Sequence, residues 1–184
     1  MPPQVFVEFG RVLCEYAAVN GKREIVAAVI LIALAAVSFA RDAVYSDPIR
    51  LYTDVVAKSP DKARPHNNLG HYLKIAGRQA EAQAQFERAL ALMPEYPDAL
   101  NNLATIYTNI GRRQEGIALL QNCLLLNPAH IQARYNLAMQ FYEGGFLPEA
   151  EREYWNIIKI APQSGEAAFA QRMIQMIQSG KRMQ

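Results

Sequence analysis

Between residues 63 and 178, apolar positions recur at spacings of three and four, the pattern of helices that bury one stripe. Three segments repeat it at intervals of 34: NNLGHYL (67–73), NNLATIY (101–107) and YNLAMQF (135–141). The stripe of these first helices is read as Leu69, Leu73 and Ile75, then Leu103, Ile106 and Tyr107, then Leu137, Phe141 and Tyr142. A second helix follows each: EAQAQFERALALM, QEGIALLQNCLLL and PEAEREYWNIIKI. Its core candidates are Ala82, Phe86 and Ala89, then Gly116, Leu120 and Cys123, then Ala150, Tyr154 and Ile157. Gly77, Gly111 and Gly145 keep the same interval and fall where a first helix must stop, since glycine tolerates the left-handed conformation. Pro60, Pro94, Pro128 and Pro162 also keep it and close each unit. A pair of short helices does not bury its apolar face alone, so the pattern predicts an all-α solenoid in which each unit covers the next.

The pattern changes upstream. Ile25 to Ala40 reads IVAAVILIALAAVSFA, uncharged throughout, between Lys22-Arg23-Glu24 and Arg41-Asp42. At 1.5 Å per residue the run covers about 24 Å of a ~30 Å hydrocarbon core. Snorkelling of Lys22 and Arg23 and extension through Ala43 to Tyr45 would close the gap. The expectation is a single transmembrane helix over 25–45. The alternatives are a signal peptide cleaved near Ser38-Phe39-Ala40 and a buried helix of a soluble domain. Residues 1–24 form an N-terminal segment; Glu8, Arg11 and Glu15 break 4–19, which is read as an interfacial helix. The nearest basic residues place the N-terminus inside, with the repeats in the periplasm of a bacterial inner-membrane protein.

The repeat itself divides into units at about 63–96, 97–130 and 131–164, three within 63–162. Asp47 and Pro48 signal a helix start, so 46–62 is expected to be an incomplete leading unit in which Tyr52 and Val55 take the places of Phe86 and Ala89. Residues 163–178 are expected to cap the last unit, and 179–184 to fray.

Charge and composition exclude more than they assign. A net charge of +2 without a Lys/Arg-rich run gives no electrostatic footprint for nucleic acid. Cys14 and Cys123 are too few and too far apart for a disulfide framework. No phosphate-binding glycine loop, His-Glu-x-x-His or paired-cysteine spacing is present, so no catalytic residue, cofactor or metal site is expected, and no enzyme. His66, His71 and His130 are expected to be hydrogen-bonded or solvated, Cys123 to pack, and Trp155 to lie at a helix contact or a partner surface.

The 34-residue units resemble the tetratricopeptide repeat family. Leu69-Gly70, Ala82, Phe86, Ala89 and Pro94 match its pattern in the first unit. Leu103-Ala104, Tyr107 and Pro128 match it in the second, and Leu137-Ala138, Phe141, Ala150, Tyr154 and Pro162 in the third. Ala104 and Ala138 depart from the usual glycine, and Ile157 from a small residue, which should widen the packing there. The resemblance implies a right-handed solenoid whose first helices line a concave face. Off the packing stripe those helices carry Arg64, Asn67, Asn68 and His71, then Asp98, Asn101, Asn102 and Thr105, then Gln132, Tyr135, Asn136 and Met139. Asn68, Asn102 and Asn136 would form a ladder of amides able to pair with the main chain of an extended peptide. A similar ladder marks O-linked N-acetylglucosamine transferase. Chaperone-binding members use a Lys/Asn carboxylate clamp, and Asn67 and His71 stand at its first two positions, which disfavours that mode.

The junction also resembles transmembrane-and-tetratricopeptide proteins, though without their catalytic membrane half. The expected function is thus a membrane-tethered interaction module that recruits or stabilises partners, through a protein or extended peptide and through other transmembrane helices. An exported periplasmic assembly or secretion factor and an accessory subunit of a larger membrane enzyme complex are the alternatives.

Overall fold

The computed structural model describes residues 11, 27–36 and 47–180. By compactness the chain divides into two units, Met1–Leu51 and Tyr52–Gln184, and the repeats lie in the second. Among the described residues from Pro48 onward, eight helices follow one another: α1 Pro48–Lys58, α2 Ala63–Ile75, α3 Gln79–Leu92, α4 Pro97–Asn109, α5 Arg113–Leu126, α6 Ile131–Glu143, α7 Leu147–Ile160 and α8 Gly165–Gln178. Among the described residues the secondary structure is all helical, with no strand. Helices α2/α3, α4/α5 and α6/α7 pack as antiparallel pairs, and each pair leans on the next.

Local chemistry explains the punctuation. Gly77, Gly111 and Gly145 adopt φ of 76°, 85° and 81°. At each, the following N–H reaches back into the last turn: Arg78 to the Leu73 carbonyl at 2.9 Å, Arg112 to Tyr107 at 2.8 Å, Phe146 to Phe141 at 2.9 Å. Together with the glycine N–H bonds to Lys74, Thr108 and Tyr142, this is the Schellman closure. The Asp47 carboxylate accepts from the Ile49 N–H at 2.9 Å, and Ser164 Oγ from the Ala167 N–H at 3.0 Å, which caps α1 and α8.

The core is a column along the stack. The second-helix candidates Ala82, Phe86, Ala89, Gly116, Leu120, Cys123, Ala150, Tyr154 and Ile157 are all buried. Ala99, Ala133 and Ala167 are wholly buried at the starts of α4, α6 and α8, where the next unit presses on the preceding second helix. Ile157 clusters with Ala167, Ala170, Met173 and Ile174, and the small alanines of α8 leave room for it. Ile75 departs from its expected place: it is 68% exposed, because α2 ends there and the stripe runs out.

A recurrent staple holds the turns. His66 places Nε2 at 2.9 Å from the Pro60 carbonyl and Nδ1 at 2.7 Å from the Gln85 side chain. Sixty-eight residues later Arg134 donates to the Pro128 carbonyl at 2.7 Å and to Glu153 at 2.7 Å. Both join the preceding turn to the second helix of the same unit. At the middle position stands Leu100, buried in one apolar cluster with Ile117, Leu120 and Cys123 of α5.

The membrane expectation is overturned. Among the described residues no helix is long and apolar enough to cross a membrane. Of 25–45 the structure describes 27–36, all helical. The single-pass anchor, the inner-membrane location with periplasmic repeats, and the membrane and transmembrane-helix partners drawn from it are withdrawn. The interfacial helix expected in 1–24 falls, apart from Arg11, outside the described residues; so do the rest of the span, the cleavage motif and 181–184.

Candidate functional site

Successive first helices touch one another, α2 with α4 and α4 with α6, whereas successive second helices do not approach as closely. The first helices therefore form the inner side of the stack. Residues spaced by four and three share one helical face, which gives Asn67, His71 and Lys74 on α2, Asn101, Thr105 and Thr108 on α4, and Tyr135, Met139 and Tyr142 on α6. Phe169 and Met176 continue the row on α8.

The asparagines pair diagonally. Asn102 Nδ2 donates to Asn67 Oδ1 at 3.1 Å, and Asn136 Nδ2 donates to Asn101 Oδ1 at 2.8 Å. Asn67 and Asn101 are buried beneath these bonds, while Asn68, Asn102 and Asn136 are half-buried. Each clasp ties one first helix to the next, and a net contribution of roughly 1 kcal/mol is typical of such a bond. Asn102 Oδ1 also accepts from Lys74 Nζ at 3.2 Å, and Asn136 Oδ1 from Gln132 at 3.3 Å. Of the three ladder asparagines, Asn68 alone has no side-chain hydrogen bond among the described residues. An amide offers two N–H groups and two lone pairs, so Asn102 and Asn136 each keep one of both.

Along the row the chemistry changes from polar to aromatic. Thr105 and Thr108 turn their hydroxyls onto the Asn101 and Thr105 carbonyls of their own helix. Further on, Tyr135 meets Phe169 with ring centroids 5.2 Å apart, and the Tyr154 hydroxyl lies 3.2 Å from Met139 Sδ. Gln132, Tyr135, Gly165, Glu166 and Phe169 line an open cleft of about 270 Å³ between α6 and α8. Burial pushes the Tyr154 phenol well above its ordinary value, so it stays protonated.

At the other end lie His71 and Lys74. His71 is exposed beside Tyr72, with a ring-centroid distance of 5.4 Å, and burial of its imidazole together with nearby Lys74 lowers its pKa. Burial likewise lowers the Lys74 ammonium. Lys74 was not singled out in the sequence, since a lysine in a last helical turn reads as a dipole partner. Its spacing of three from His71 was the available signal. Elsewhere, His130 accepts from the Ala133 N–H and faces Asp98 at 3.2 Å, a cap between units. Burial raises the Cys123 thiol to about 12, which leaves it a packing group. Trp155 is 47% exposed.

Comparison with known proteins agrees with this geometry. The tetratricopeptide repeat family model matches residues 73–122. No curated protein matches the chain. Among solved structures, MamA superposes with a TM-score of 0.64 at 23% identity, over 72% of this chain and 75% of its own. The first tetratricopeptide domain of Spaghetti, bound to the HSP90 peptide SRMEEVD, gives 0.59 at 18% identity, over 65% of this chain and 92% of its own. A tetratricopeptide repeat protein from Parabacteroides merdae gives 0.60 at 20% identity, over 70% and 52%. At these identities the likeness is one of fold.

Proposed function

We propose that the chain, whose repeats have the all-α tetratricopeptide fold, is a protein-interaction module that holds an extended polypeptide along the first-helix face. The observation that carries this reading is the gradient along that face. Half-exposed amides at Asn68, Asn102 and Asn136 can meet a peptide main chain, and the Tyr135–Phe169 cleft can seat an apolar side chain. Asn67 and Asn101 act from beneath by fixing the amides they clasp, while His71, Thr105 and Met139 border the path. The peptide seen on the Spaghetti domain, a protein of the same fold, supports the mode.

The test is an array of extended decapeptides probed with labelled protein. Thr105→Arg fills the middle of the groove and should weaken the bound peptides at least tenfold, about 1.4 kcal/mol. Gln121→Arg, on the exposed face of α5, should leave them unchanged, with circular dichroism confirming both folds. Peptides that bind Thr105→Arg as well as they bind the unaltered protein would overturn the groove.

A further inference from the structure

Lys74 is a half-buried cation with no anion paired to it among the described residues. Its Nζ donates to the neutral Asn102 amide at 3.2 Å, and no carboxylate among the described residues lies within ion-pair distance of it. Acids of the repeats pair elsewhere: Glu81 with Arg78, Glu115 with Arg112, Glu143 with Arg113, and Asp98 with His130. Removing an ammonium from water is unfavourable unless an opposite charge compensates. The scaffold does not require it either. The same register carries Thr108 in the second unit and Tyr142 in the third, and both units pack normally.

What surrounds the ammonium is a set of unspent polar groups. Three N–H bonds radiate from Nζ and one is used, which leaves two toward the groove. Exposed His71 shares the Lys74 face of α2, and Asn102, which Lys74 bonds from across on α4, keeps one N–H and one lone pair. Resting on the groove reading above, we propose that Lys74, with the Asn102 amide, receives the side-chain carboxylate of an Asp or Glu within the docked peptide. The amides of Asn68, Asn102 and Asn136 run on past Lys74 toward α6, so the main chain continues beyond this point, and an internal acidic residue fits better than a chain end. Lys74 lies outside the positions of the carboxylate clamp, which Asn67 and His71 occupy.

The test uses C-terminally amidated decapeptides in matched pairs, Glu against Gln at each position, with affinities from fluorescence polarisation on the full chain. At one position Glu should bind about tenfold tighter than Gln, and the difference should shrink as salt is raised. Lys74→Met should abolish the difference while the Gln peptides bind as before, and Lys74→Arg should restore most of it. The melting temperature of Lys74→Met should hold or rise, because an uncompensated cation is gone. Equal binding of Glu and Gln peptides, or a preference that survives Lys74→Met, overturns the site but leaves the groove intact. A preference confined to a free terminal carboxylate also overturns it. Absence of any peptide binding removes the groove and the site together.

Discussion

A single methyl group measures how closely a repeat is packed. A Cβ built on Gly70 would lie 2.7 Å from Phe86 Cε1 and 2.8 Å from Cδ1, and Phe86 is wholly buried with nowhere to move. The second unit places Ala104 at that position and the smaller Leu120 opposite it. In the third, Ala138 coexists with Tyr154 because the ring turns toward Met139 and Phe169. Gly70→Ala should therefore destabilise the protein by about 1–3 kcal/mol in urea unfolding, and Phe86→Leu added to it should recover part of the loss. No loss on Gly70→Ala would mean that the first unit is looser than its contacts imply. The Arg134–Glu153 pair offers a second measurement, since both side chains are nearly buried. Arg134→Met leaves buried Glu153 with only Arg152 and Asn156 as longer-range partners, at 3.4 and 3.3 Å, and leaves the Pro128 carbonyl without its side-chain donors, a loss of about 1–3 kcal/mol. Arg134→Met with Glu153→Leu should be appreciably less harmful. A double variant as unstable as the single one would show that the Pro128 carbonyl, and not the carboxylate, sets the loss.

At the scale of elements, each helix pair depends on the next for cover. The last pair leans on α8, where Ala167, Ala170, Met173 and Ile174 close over Tyr154 and Ile157. A charge at Ala170 should detach α8 and expose α7. In a stack where contacts are between neighbours, the damage should stay local. Ala170→Asp is expected to accelerate amide hydrogen exchange in α6 to α8 while α2 and α3 keep their protection; uniform acceleration would show one cooperative block instead. These elements were legible in the sequence because their determinants are local and periodic. Gly77, Gly111 and Gly145 each fix a helix end by backbone conformation, and Phe86, Leu120 and Tyr154 each fall on a 3.6-residue stripe. Ile75 misled because a stripe says nothing of where its helix stops. The apolar run at 25–40 misled because its own length falls short of a bilayer and snorkelling with extension to Tyr45 was invoked to close the gap, whereas among the described residues no helix is long and apolar enough to cross.

For the repeat stack as a whole, the candidate site was legible as a face but less so as chemistry. Asn67, Asn101 and Tyr135 hold one register on successive first helices, which spacing alone gives. Spacing alone does not reveal which amides meet each other, and the diagonal clasps come from the rotation between units. The aromatic cleft was hidden for a similar reason. Phe169 belongs to α8, a helix expected to shield the stack, and it reaches Tyr135 only after α8 docks. The net charge of +2 gives little long-range steering, so partner choice in the proposed groove would rest on individual contacts, the one proposed for Lys74 among them.

The diagonal clasps carry a mechanical consequence. Asn102 and Asn136 hold α2 to α4 and α4 to α6 with the same amides that face the groove. In the proposed mode, a peptide that competes for those amides would also loosen the joint they make between successive first helices. An occupied groove and an empty one would then differ in stiffness before they differ in shape.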